Sequence, residues 1–132
     1  MKKLFISADI EGTCGITAWE ETEANGGRNY GYFSERMTAE VDAAARGAEQ
    51  AGYISTVKDA HDSARNINPM GLPKTATLIR GWSKDCYCMM GGLDREDFDA
   101  VAKTALNDGA IIVNPAQADY NDIIEILEEV WS

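Results

Sequence analysis

Three side chains in this sequence have the types and positions to do chemistry together: Asp9, Glu11 and His61. Asp9-Ile10-Glu11 places two carboxylates on one short segment, and in an extended chain residues i and i+2 face the same way. His61 supplies the sequence's only imidazole. A divalent ion such as zinc takes carboxylate oxygen and imidazole nitrogen, with water at an open fourth position. Three protein ligands and one open position lower the pKa of a bound water toward neutrality. The plain alternative is that Asp-x-Glu pairs are common on solvated loops and that a lone histidine is usually structural or exposed. Residue types alone leave both readings open.

Other chemically capable residues have bland readings. Cys86-Tyr87-Cys88 offers two thiolates but lacks the four-ligand spacing of a structural zinc site, so ordinary thiols near a strand end are expected. Cys14 is expected to pack. Asp59 and Asp62 flank His61, and either could accept a proton from its unligated nitrogen or serve as a solvated turn acid. Gly12-Thr13-Cys14-Gly15 is too short to be a phosphate-binding loop. Met89-Met90 reads as core filling, while Trp19, Trp82 and Trp131 read as packing or rim residues.

Secondary-structure elements must bring the three residues together. Lys3 to Ala8 is a short apolar run and predicts a buried strand. Thr13 to Gly31 is polar and reads as an irregular excursion. A helix is predicted from about Ser34, its N-cap, to Ala51. Its apolar face is Met37, Val41, Ala44, Ala48 and Ala51, and Gly52 stops it. Tyr53 to Val57 predicts a second strand, followed by a polar loop from Lys58 to Ser63. Asn68 to Pro73 is a connection leading to a third strand near Ala76 to Ile79. A helix over Asp94 to Leu106, a fourth strand over Ala110 to Val113 and a final helix capped by Asp119 complete the pattern. That last helix would turn Ile123, Ile124, Leu127 and Val130 or Trp131 inward.

This alternation predicts an α/β fold: a single three-layer domain over residues 1–132 with a mainly parallel sheet of about four strands. In such sheets ligands bind beyond the carboxyl ends of the strands. Asp9, Glu11 and His61 all fall just after predicted strands, so two separate loops should bring them to one edge.

Composition narrows the partners. At 132 residues, 45% hydrophobic and 26% charged, the chain has an ordinary globular balance. A net charge of −10 argues against a nucleic-acid surface. The acids between Asp119 and Glu129 read as a solvated face. Leu4-Phe5-Ile6 is too short for a signal-peptide core or a membrane span, so no membrane partner and a cytoplasmic location are expected. The odd count of three cysteines fits that expectation.

Ser7-Ala8-Asp9-Ile10-Glu11-Gly12, followed by Gly15-Ile16, is similar to the opening of the M55 family of D-aminopeptidases, the dipeptide-transport-associated type. Further family-like segments follow in order: Arg28-Asn29-Tyr30, Arg36-Met37-Thr38-Ala39-Glu40-Val41, Asp59-Ala60-His61, Arg65-Asn66 and Met89-Met90-Gly91-Gly92-Leu93-Asp94. The resemblance covers about residues 1–101. It implies an enzyme that holds two zinc ions and releases N-terminal D-amino acids from short peptides, those of D-alanine being the best known. By that resemblance Asp9 matches the aspartate bridging the two metals, and Glu11 and His61 match further ligands of the first. Such enzymes assemble into rings, which implies a homo-oligomer.

The sequence departs from the family after Phe98-Asp99-Ala100-Val101. The family continues with a second histidine ligand in a Gly-Tyr-His type motif, a catalytic histidine and a further glutamate ligand. Here His61 is the only histidine, so the catalytic residues stay unknown and the second metal site is expected to be absent or incomplete. Asp119, Asp122 or Glu125 could lend a carboxylate, though first-turn acids at a helix N-terminus is the plainer reading. The chain is thus expected to be an amino-terminal portion with an unrecognised strand–helix tail over 102–132. Two functions follow as expectations: metal-dependent hydrolysis of D-amino-acid peptides, impaired by the missing residues, or a non-catalytic, truncated or engineered α/β metal-binding module.

Overall fold

A computed structural model describes residues 1–101. The end of the helix predicted to Leu106, the strand at Ala110 to Val113, the final helix with Trp131, and Asp119, Asp122 and Glu125 lie outside the described residues.

Four parallel strands form one sheet in the order β3-β2-β1-β4, with β1 at Lys2–Ala8, β2 at Tyr53–Asp59, β3 at Thr77–Ile79 and β4 at Ala100–Val101. The long helix α1, Tyr30–Gln50, connects β1 to β2. The α/β class and the parallel sheet are therefore as the alternation predicted.

Strands buried on both faces must be apolar on both, and β1 is. Ile6 and Ala8 turn toward α1 and share a core with Val57, Ile67, Phe33, Met37 and Val41. Phe5 points the other way, is fully buried and meets the Phe98 ring edge-on, with centroids 5.2 Å apart. Register sets Ile6 opposite Val57 and Ala8 opposite Asp59, which brings the ends of β1 and β2 level.

Several boundaries differ from expectation. The helix begins four residues before Ser34, after Asn29 in a left-handed conformation (φ 64). Ser34 lies inside it, and its hydroxyl donates to the Asn66 carbonyl instead of capping. Burial follows Phe33, Met37, Val41, Ala45 and Ala48, while Ala44 and Ala51 are exposed. Aromatic anchoring at Phe33, one residue ahead of the predicted start, sets that stripe. Gly52 does end the helix, at φ +86. β2 runs on to Asp59, so Lys58 is a fully buried strand residue and not part of a polar loop.

The predicted helix over Asp94 to Leu106 is not formed in its described part. Leu93–Arg95 makes a single 3-10 turn, and Ala100–Val101 pairs with Leu4 and Phe5. Asp99 secures the approach: its N–H donates to the Lys3 carbonyl and its carboxylate accepts from the Lys3 N–H. Pairing with the open edge of β1, together with the Phe5–Phe98 contact, overrides a local helical pattern. The segment before α1 is also ordered by specific contacts. Glu21 accepts from the N–H groups of Thr17 and Ala18, and the buried Thr22 hydroxyl donates to the Trp19 carbonyl. No helix among the described residues is long and apolar enough to cross a membrane.

Candidate metal centre

Asp9 follows β1 directly and caps the 3-10 turn Ile10–Gly12, its Oδ1 accepting from the Glu11 N–H at 3.2 Å. Ile10 is fully buried and pins this turn to the core. The chain here is thus turned where the i, i+2 argument assumed it extended, and the cap is what keeps Asp9 and Glu11 neighbours.

His61 arrives from the end of β2. The β1–β2 ladder continues one step past the strands, with the Ala60 N–H donating to the Ala8 carbonyl at 2.8 Å. The His61 carbonyl accepts from the Ala64 N–H and from Asn66 Nδ2, each at 2.8 Å. The turn is tight, with Asp62 (φ 45) and Ala64 (φ 53) both left-handed, a costly conformation for residues other than glycine.

A buried network around Asn66 holds this loop. Asp59, fully buried, accepts from Asn66 N (2.6 Å), Asn66 Nδ2 (2.9 Å) and Ile67 N (2.8 Å). Asn66 Oδ1 accepts from the Tyr30 hydroxyl at 2.9 Å, and its carbonyl accepts from Ser34. Burial, aided by the nearby Asp59 charge, raises the Tyr30 pKa and keeps it a neutral donor. Asp59 therefore acts on His61 through Asn66, not by accepting from its ring, and Asp62 is an exposed turn residue. Sequence reasoning did not give Asn66 a role. Its only signal was membership of a family-like dipeptide, because an asparagine in a loop advertises no partner.

His61 Nδ1 lies 3.1 Å from Asp9 Oδ1 and 3.6 Å from Glu11 Oε1. One ligand atom from each of the three falls within 4.8 Å of the others. Two ligand atoms of one tetrahedral zinc lie about 3.3 Å apart, from metal–ligand bonds of about 2.05 Å. The two measured separations bracket that value, and the Glu11 distance is too long for a hydrogen bond. Oxygen, oxygen and nitrogen is also a donor set zinc accepts, so the three residues could hold such an ion.

Among the described residues no other such cluster of histidine, cysteine and acid side chains forms. Cys14, Cys86 and Cys88 are exposed free thiols, so Cys14 does not pack as expected. Met89 is exposed rather than core-filling, and its carbonyl accepts from the Ser7 hydroxyl. Trp19 is exposed with its ring 6.1 Å from the His61 ring, a rim position, and Trp82 lies beside the Lys58 ammonium.

A carboxylate–histidine cluster at the carboxyl edge of a parallel α/β sheet defines the class as one that places a metal-type donor set beyond its strands. The chain belongs to the M55 peptidase family, the D-aminopeptidases, whose family model matches residues 1–105. Among solved structures it is similar to the Zn-dependent D-aminopeptidase DppA from Bacillus subtilis, a self-compartmentalizing protease. Identity is 30%, the TM-score is 0.66, and the match covers 75% of this chain. It covers 35% of DppA, so this chain spans about a third of that enzyme's length. No curated protein sequence matches the chain.

Proposed function

We propose that this chain is a zinc-dependent hydrolytic domain for short peptides with an N-terminal D-amino acid, and that Asp9, Glu11 and His61 hold the metal. The observation that carries the reading is the convergence of these three donors at ligand–ligand separations of 3.1 and 3.6 Å in a chain of the M55 family. Bound zinc would polarise a peptide carbonyl and lower the pKa of a coordinated water. The chain's own part is to fix the ligands. Asp9 caps its turn, the β1–β2 ladder sets the Asp9–His61 distance, and Asn66 holds the His61 main chain.

Elemental analysis of protein purified without added metal tests the site. About one zinc per chain, lost in His61→Ala, is the expected result. Metal retained by His61→Ala, or none bound even when zinc is offered, would refute it. Release of D-alanine from D-Ala-D-Ala, lost in the same variant, tests the activity.

A second reading rests on one observation. His61 is the only histidine, so the second-metal and catalytic histidines that the family resemblance implies have no counterpart in these 132 residues. A domain that binds zinc and turns nothing over would show the metal without D-alanine release. Self-association, by analogy with the self-compartmentalizing DppA, belongs to the first reading and is tested by sedimentation. So does a cytoplasmic location, supported by three exposed free thiols that a reducing compartment would keep reduced. Cell fractionation tests it.

A further inference from the structure

Trp19 presents a large apolar surface where the fold has no internal use for it. The residue is 63% exposed, although an indole is among the most costly groups to leave in water. Its backbone is nonetheless fixed. Glu21 ties down Thr17 and Ala18 just ahead of it, and Thr22, 2% exposed, bonds its carbonyl. Gly27 closes the same segment, and a Cβ there would collide with the carbonyl oxygens of Glu20 and Glu23. An exposed aromatic on an immobilised backbone is preorganised for a partner, because little ordering is left to do on binding.

The partner's place is set by the ring that Trp19 meets among the described residues. Its centroid lies 6.1 Å from that of His61, with the planes at 64°. Imidazole is covered and indole is not, since the His61 side chain is only 8% exposed. The exposed indole is thus an apolar surface directly beside the covered imidazole. Aliphatic carbons would gain from covering the indole, whereas an anionic side chain would meet the electron-rich face of the ring and gain nothing.

Building on the metal-hydrolase reading above, we propose that Trp19 is a specificity-determining wall. It receives the side chain of the substrate residue bound at the metal and favours aliphatic D-residues larger than alanine. The difference between leucine and alanine side chains, partly covered by one indole, corresponds to about tenfold in affinity.

Calorimetric titration of the zinc-loaded protein with D-Leu-D-Ala and with D-Ala-D-Ala tests this. The expected result is tighter binding of D-Leu-D-Ala by about tenfold. In Trp19→Ala that preference is lost at unchanged zinc stoichiometry and thermal midpoint, and in Trp19→Phe it is largely restored. Peptide binding with the same preference in wild type and Trp19→Ala would overturn the wall and leave the hydrolase reading standing. Binding of neither peptide by the zinc-loaded wild type would overturn both. Loss of zinc in Trp19→Ala would show that the indole orders the ligand histidine, and would also overturn the wall.

Discussion

Asn66 spends every polar group it has on one task. Its N–H, amide nitrogen, amide oxygen and carbonyl bind Asp59, His61, Tyr30 and Ser34. Asn66→Ala removes the side-chain half of this and leaves the buried Asp59 carboxylate and the Tyr30 hydroxyl short of partners. A stability loss of about 2–4 kcal/mol is expected in denaturant melts. Zinc affinity is expected to fall roughly 10–100-fold, because supporting bonds hold a ligand in place. Wild-type affinity in the variant would show that the network serves the fold alone. Lys58 allows a second test at this scale. Burial lowers its pKa below the ordinary lysine value of 10.5, although its ammonium donates to the Gly81 carbonyl and lies over Trp82. Between the lowered folded value and 10.5 the unfolded chain binds more protons, so the lysine's contribution to stability grows as pH rises through that window. Wild type should therefore gain on Lys58→Met between neutral pH and about 10.5. A pH-independent gap between the two would contradict the assignment. That Asp9, Glu11 and His61 come together is legible in the sequence, because carboxylates and a lone histidine just after strands are conspicuous. The residues that aim them are not, because Asp59 and Asn66 are partnered only by folding.

At the scale of elements, local patterns located strands better than boundaries. β1 and the start of β2 were readable from apolar runs, and Gly52 marked the end of α1. Its beginning was missed because Tyr30-Gly31-Tyr32-Phe33 carries no capping signal and Asn29 caps nothing through its side chain. β4 was misread as helix because its two residues are strand only through pairing with Leu4 and Phe5. The turn carrying Trp19 reads as irregular in the sequence, since side-chain bonds of Glu21 and Thr22, and no apolar pattern, order it. Hydrogen bonds, first that from the Thr17 N–H, hold the Glu21 pKa below its ordinary 4.5. A carboxylate with a lowered folded pKa stabilises above its unfolded value, and that stabilisation is lost as pH falls through the folded one. Acidification past the ordinary carboxylate range should thus free this turn, and Trp19 fluorescence should change there. Glu21→Gln should remove that step while global unfolding at neutral pH moves little. A step that survives in Glu21→Gln would place its origin elsewhere.

For the whole domain, the α/β class followed from the alternation of elements, whereas strand order did not, because neighbours in a sheet are chosen by packing. The ion would join the ends of two strands, Asp9 and Glu11 after β1 and His61 after β2. Zinc at about 100 times its dissociation constant should then raise folding stability by about 2.7 kcal/mol. Thermal melts should show this in the wild type and not in Asp9→Ala or Glu11→Ala. A midpoint indifferent to zinc in the wild type would count against the site.

The bond from the Ala60 N–H to the Ala8 carbonyl has a further consequence. It is the last rung between the two strands and the nearest one to the donors on both sides. The site is therefore a caliper whose jaws are the two strand ends. Any lesion that lets them fray opens the jaws before the helix between them has melted. Bound metal would then report on sheet edges that the helical signal of α1 cannot see, and zinc release should precede the melting of α1 on gradual denaturation.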